Sequence, residues 1–468
     1  MKMNNKEIKK EIIDEKIVLE NDLGTVSVGK LLWIYSLPAI IGTMISSLYN
    51  VIDRIYIGQG VGPLAISGLA LTFPFMNFLS AFGMLVGAGS AARISIRLGQ
   101  NDKDRAEKIL ANALILTFII SGTVVVLSRI FMDPILVLFG GSERTLKYAQ
   151  EFMRIIIPGG ILSALNFGFN NIMRASGYPK KAMYTMIICS GINVILAPIF
   201  IFKFHWGIAG AAHATNISFF VGAIWVLTHF MQKKSNIRFR KQNFHLDKQI
   251  VKSILDIGMS PFSMQIAASF IVVLINRELL QYGGDFAIGA LGIQNSISTL
   301  IVMFLVGLNQ GVQPILGYSY GAKKYDRMFE ALKLSAVVAT VVSSLGFVMG
   351  VFFPHAIVSI FTKDEVLRNI AANALKISVL VFPLIGSQVI FTSFFQSIGK
   401  AKISMFLSLT RQVLFLVPCL IILPPIFGLN GIWASMPVSD LLAVIVTTST
   451  LIFFMRKFKR IYSREKAY

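Results

Sequence analysis

Apolar residues are laid along this chain in long blocks. Mostly apolar runs fall at about 31–57, 64–90, 109–132, 148–173, 182–202 and 208–231. After a polar stretch, six more fall at about 256–280, 286–310, 331–353, 370–396, 403–425 and 431–454. A helix of roughly 20 apolar residues crosses a bilayer's hydrocarbon core, and each run is long enough to do so. The pattern therefore predicts twelve transmembrane helices, six on each side of the polar stretch Gln232 to Lys252.

Composition excludes the main competitors. Of 468 residues, 55% are hydrophobic and 14% charged, and the mean hydropathy is +0.69. Soluble domains carry about 25% charged residues, so an ordinary soluble enzyme is ruled out. Disordered, collagen-like and coiled-coil chains fail too, because 37 Phe residues in long apolar runs demand burial. The segment up to Lys30 mixes Lys2, Lys6, Lys9 and Lys10 with Glu7, Glu11, Asp14 and Glu15, which no cleavable signal peptide does. It reads as a cytosolic lead-in, helical in part.

The net charge of +21 raises nucleic acid as a partner, and the placement of that charge answers it. If both termini are cytoplasmic, the inner segments hold 34 of the 44 Lys and Arg residues, and the outer ends and loops hold 10. That is the positive-inside bias of a multi-pass protein of the cell (inner) membrane, with no nucleic acid implied. Cys189 and Cys419 lie inside apolar runs without metal-ligand spacing, so neither disulfide nor metal is expected.

The two halves repeat. A shift of 223 carries Pro38, Asp53 and Arg54 to Pro261, Asn276 and Arg277. A shift of 222 carries Gly89, Gly99, Asp104, Arg105 and Gly177 to Gly311, Gly321, Asp326, Arg327 and Gly399. Each half has an even number of spans, so both enter the membrane in the same direction. The expected fold is an all-α integral membrane protein with two six-helix lobes, related by a pseudo-two-fold axis along the membrane normal. The expected organisation is a lead-in (1–25), an N-terminal lobe (26–231), a basic cytosolic linker (232–252), a C-terminal lobe (253–455) and a basic cytosolic tail (456–468). The linker reads as a connector along an anionic inner leaflet. Two such lobes suit alternating access.

Three segments carry a family resemblance. SLPAIIGTMISSLYNVIDRIYIG at 36–58, NNIMRASGYPKKAM at 170–183 and GLNQGVQPILGYSYGAKKYD at 307–326 resemble the multidrug and toxic-compound extrusion (MATE) family, in particular its MepA-type bacterial branch. The resemblance covers essentially the whole chain from Val26 onward. It implies a monomeric, cation-coupled antiporter, driven by H⁺ or Na⁺, that exports lipophilic cationic compounds. It implies no enzymatic activity and no cofactor beyond the coupling ion.

Polar residues within spans are the candidate machinery, because ionisable groups in a bilayer are costly. Asp53 lies roughly 33 Å along the first helix, toward its outer end. Its counterpart Asn276 cannot titrate, which confines cation chemistry to the first lobe. The resemblance places Asp53, Asn193 and Thr215 in the coupling network, although the last two are equally the helix-to-helix hydrogen-bonding type. The family carries an acid four residues after that asparagine; here it is Ala197, and weak coupling is expected. Met264, Gln265, Asn276, Gln294, Asn295, Met303, Gln310, Gln313 and Asp440 are candidates for a polar, soft substrate cavity. Asp440 reads either as a cation-attracting group or as an acceptor for backbone and hydroxyl groups.

Two other functions are weighed. A flippase for lipid-linked sugars wants a cationic central cavity, for which Arg174 and Arg411 are the available residues. A prenyl transferase wants paired Asp motifs for magnesium, and no span has one. Neither 83–89 nor 307–311 has the spacing of a phosphate-binding loop, so ATP drive is not expected.

Overall fold

The computed structural model describes residues 23–138 and 143–465, and helices dominate it. All but the last three residues of the expected lead-in, and the last three of the tail, lie outside the described residues. The first six helices are α1 (Val28–Gly60), α2 (Pro63–Gly99), α3 (Lys103–Leu138), α4 (Glu143–Ala175), α5 (Pro179–Pro198) and α6 (Gly207–Met231). The next six long helices are α7 (Lys248–Gly284), α8 (Phe286–Gly321), α9 (Tyr325–Phe352), α10 (Glu365–Ser378 with Phe382–Ser397), α11 (Ala401–Phe427) and α12 (Leu429–Glu465), with a single short helix, Pro354–Val358, between α9 and α10. Every apolar run therefore has its helix. Eleven are single helices long and apolar enough to cross a membrane, and the bent pair of α10 completes twelve.

Three departures from straight spans have local causes. The pieces of α10 meet at 53°, just before Pro383, which supplies no N–H for the preceding turn. Helical hydrogen bonding runs from Lys248 to Gly321 through a single non-helical residue, Gly284, at φ 62° and ψ −159°. Only glycine takes that conformation without strain, so Gly284 with the single residue after it makes the whole connection between α7 and α8. Finally, α5 runs on into a π-helical turn, Ile199–Lys203, and α11 contains another, Thr410–Leu416. Such widened turns frequently mark functional positions.

The described residues form two compact units, and their boundary is not the linker. One unit runs to Phe262 and includes Gln310–Ala331 and Ser397–Gly399. The other comprises Ser263–Asn309, Leu332–Gln396 and the chain from Lys400. Inside the first unit, repeat-related glycines make reciprocal crossings. A side chain at Gly99 would collide with the Tyr318 carbonyl of α8, and one at its counterpart Gly321 with the Ile96 carbonyl of α2. In the same way Gly89 lies on Ile254 and Gly258 of α7, while its counterpart Gly311 lies on Ser36 of α1. Without a hydrophobic drive between helices in lipid, such backbone-to-backbone approach is the main source of cohesion.

The linker is more than a lipid-facing tether. Arg240 pairs with buried Glu107 of α3, and the Arg238 amide donates to the same carboxylate at 3.3 Å. Asn112 of α3 donates to the His245 carbonyl at 3.2 Å and accepts from the Asp247 amide at 2.9 Å. Phe239 packs its ring against Phe169 and Phe230. Basic residues read as lipid-facing thus include some spent on the protein itself.

Candidate functional site

In the first half, α1 lies along α5 in a fixed register. A side chain at Gly42 would touch Met186, and one at Gly60 would run into Ile201 and Phe202. Tyr56 stacks edge-on against Phe202, with ring centroids 6.3 Å apart. Interpolating between these contacts brings Asp53 level with Asn193 and the turn that follows it. Tyr49, one turn before Asp53, lies close to both Asp53 and Cys189 of α5. Asp53 is half-buried, and its Oδ1 has no hydrogen-bond partner among the described residues. Arg54 points away, over the Phe73 ring of α2 at 5.7 Å, and forms no ion pair with its neighbour.

Asn193 and Thr215 come together directly. The Asn193 amide donates to Thr215 Oγ1 at 3.0 Å, and that hydroxyl donates to the Ala211 carbonyl at 3.0 Å. Both residues are nearly sealed from solvent, at 2% and 6% exposure. No hydrogen bond joins either to Asp53, so the three share a level without forming one bonded network. Ala197 is fully buried in an apolar cluster that includes Ile57, Ile201, Ala211 and Ala214.

One turn back along α5 is a neutral crossing that the sequence reading overlooked. Asn166 of α4 donates to Cys189 Sγ at 3.2 Å, and the thiol in turn contacts the Ser218 carbonyl of α6 at 3.4 Å. The available signal was Asn166 itself, a polar residue within an apolar run. Asn216 was missed in the same way; it donates to the Ile155 carbonyl at 2.6 Å and ties α6 to α4.

The second half carries its charge elsewhere. Asn276 is half-buried and Arg277 exposed, matching the exposure of Asp53 and Arg54. Asp440 of α12 is paired with Arg411 of α11, Nε to Oδ1 at 2.8 Å. Arg411, counted in the sequence with the inner segment 400–411, is instead well inside α11, at the start of its π-helical turn. Turns at Gly177 and Gly399, and at Gly207 and Gly428, all have positive φ and fix the equivalence of the two halves. Counted from them, Arg411 corresponds to Cys189, and Asp440 to Phe219, next to Ser218. The crossing held by a thiol in one half is held by an ion pair in the other.

The remaining cavity candidates are scattered. Gln294 is buried and its amide reaches Ser298 Oγ at 3.4 Å, while Oε1 has no partner among the described residues. Met264 and Asn295 are exposed, and Gln265 and Met303 are half-buried. Gln310 and Gln313 belong to the first unit, whereas the other seven candidates belong to the second. Arg174 is buried at the end of α4, where it donates to Asn171 Oδ1 at 2.6 Å.

A family model now fits this arrangement: MatE matches residues 38–199 and again 261–421, one copy per half. The chain belongs to the MatE family. It is a multi-pass membrane transporter of that family, and the doubled match restates the internal repeat. Among curated relatives, the multidrug export protein MepA of Staphylococcus haemolyticus is 27% identical over 88% of this chain and 91% of its own length. MepA of Staphylococcus aureus is 29% identical over 88% and 90%. Solved structures share the fold. An outward-facing multidrug resistance MATE family transporter superposes with a TM-score of 0.88 at 24% identity, covering 94% of this chain and 98% of that one. A MOP superfamily transporter from Pyrococcus furiosus gives 0.89 at 24% identity, covering 95% and 98%.

Proposed function

We propose that this MatE-family chain is a cation-coupled antiporter that exports lipophilic cationic drugs and toxic compounds by alternating access. Coupling is to H⁺ or Na⁺, and the chain sits in the cell membrane as a monomer with both termini cytoplasmic. The observation that carries the reading is Asp53, an intramembrane carboxylate with an oxygen free of any partner among the described residues. An acid is held in a costly place without a structural bond to account for it, which is the signature of an exchangeable ion site. Asn193 and Thr215 contribute oxygen and amide groups at the same level of the bundle. The multidrug export named for the MepA relatives supports the substrate class.

Coupling through one carboxylate follows from the chain's own residues. A cation from outside neutralises Asp53, the helices of the first half reorganise, and release inside restores the charge. Ethidium efflux from vesicles, with a proton or a sodium gradient imposed separately, tests this directly. Asp53→Asn is expected to abolish gradient-driven efflux while leaving ethidium binding in place. Full efflux by the Asn variant would remove Asp53 from the mechanism.

A further inference from the structure

Arg411 lies roughly 15 Å from the start of α11, and Asp440 lies at a similar distance along α12. Both therefore stand near the middle of a hydrocarbon core about 30 Å thick. The pair they form is lopsided. The Asp440 side chain is 8% exposed and that of Arg411 is 38% exposed. Asp440 takes the Nε edge of the guanidinium, and no hydrogen bond engages the two Nη groups of Arg411 among the described residues. What the pair shows to its surroundings is thus the cation.

A charge in hydrocarbon is expensive, and Arg within a span almost always turns to the bundle interior or to a water-filled cavity, which is the side assigned to this part-exposed guanidinium. Asp440 meanwhile fixes the side chain's direction, which removes part of the rotamer entropy that a long side chain loses on binding a ligand. The π-helical turn at Thr410–Leu416 widens the helix at the same residues. In the first half the equivalent positions are Cys189 and Phe219, so the repeat does not require a charge here.

We infer that Arg411, steered by Asp440, is a receptor for a substrate carboxylate, so that the chain takes lipophilic zwitterions as well as simple cations. The free Nη groups offer two parallel donors, the geometry a carboxylate accepts best. The inference deepens the exporter reading and rests on it for treating the site as part of a transport path. Of the two roles expected for Asp440, it sets aside the cation-attracting one: the carboxylate accepts from Arg411 and positions it.

The test uses two fluorescent dyes that differ at one group. Rhodamine 110 has a free carboxylate and is a zwitterion at neutral pH; rhodamine 123 is its methyl ester and a cation. Binding to the purified full-length protein is read by fluorescence anisotropy, and efflux is measured separately in cells. The neutral pair Arg411→Gln with Asp440→Asn keeps size and polarity without leaving a lone buried charge. Relative to the ester, the acid dye is expected to bind at least tenfold more weakly to this variant than to the wild type. An unchanged ratio overturns the inference. So does a wild type that prefers the ester more than tenfold, a measurement that needs no variant to fold. Export of both dyes with an unchanged ratio removes the carboxylate receptor and leaves the exporter reading intact. Export of neither, with the ratio falling as expected, keeps the receptor and removes the exporter.

Discussion

The two halves share one fold and place their charges at different crossings. In the first, the acid is Asp53 on α1, unpartnered at Oδ1, and the α5–α6 crossing is neutral through Cys189, Asn193 and Thr215. In the second, the α1 counterpart is the amide Asn276, and the α11–α12 crossing is held by Arg411 and Asp440. A duplicated bundle needs the same shape twice, but not the same chemistry twice. A free acid suits an ion that comes and goes, whereas a paired acid suits a side chain that must stay in place. The lesson is that an intramembrane carboxylate is read from its partner, not from its depth.

The most severe way to probe this contrast is to break the ion pair on one side. Asp440→Leu leaves Arg411 uncompensated near the midplane. Breaking a buried pair costs about 3–5 kcal/mol, and the partial exposure of Arg411 points to the lower end. Cys189→Ala, at the matching crossing of the first half, should cost about 1 kcal/mol. Thermal unfolding of the purified protein compares the two; equal losses would mean that the pair carries no special weight.

A smaller effect is expected at Ala197. Its site is sealed by Ile57, Ile201, Ala211 and Ala214, so Ala197→Asp buries a polar group among apolar neighbours at roughly 2 kcal/mol. A lower unfolding temperature with no gain in ethidium efflux is the expected result. Improved efflux at undiminished stability would show that the first half is a two-carboxylate site with one acid missing, and not a site built on Asp53 alone.

The Asn193–Thr215 bond distinguishes the halves more gently, since the corresponding positions in the second half are the apolar Phe415 and Met436. A double-mutant cycle with Asn193→Leu and Thr215→Val should return a coupling of about 1 kcal/mol. A coupling indistinguishable from zero would make their contact incidental.

The smallest effect lies at the first helix of each half. Ser27 gives α1 no side-chain cap, whereas Asp247 caps α7 by accepting from the Gln249 and Ile250 amides at 2.8 and 3.2 Å. Those two bonds hold the Asp247 carboxyl below its ordinary range. A lowered folded-state pKa adds stability above the unfolded value, about 3.9 for Asp, and that stability is lost as pH falls through the lower folded value. Acidification below about 4 and Asp247→Ala should therefore both lower the hydrogen-exchange protection factors, taken against the intrinsic rate at the same pH, at the start of α7. Ser27→Ala should leave α1 as it was. Faster exchange in α1 as well would dissolve this difference between the halves.

Much of the bundle was legible in the chain. Every apolar run became a helix, because in lipid a segment must satisfy its own backbone hydrogen bonds. The repeat was legible too, since Gly89, Gly99, Gly311 and Gly321 occupy equivalent crossings where nothing larger fits. The bend in α10 was foreshadowed only by Pro383, and the docking of the linker on Glu107 by nothing local.

What the sequence determined by itself was the number of spans, their division into halves and the scarcity of charge within them. Those properties depend on local composition and period. Only the tertiary structure decided which charges are free. Asp53 and Asp440 are both acids in apolar runs, and the one adjacent cation, Arg54 beside Asp53, does not tell the paired acid from the free one. A partner on another helix does, because Arg411 stands on α11 and Asp440 on α12, yet their charged atoms come within 2.8 Å. Pairing across helices is set by packing, and packing has no short-range signature in a run of Leu, Val and Phe.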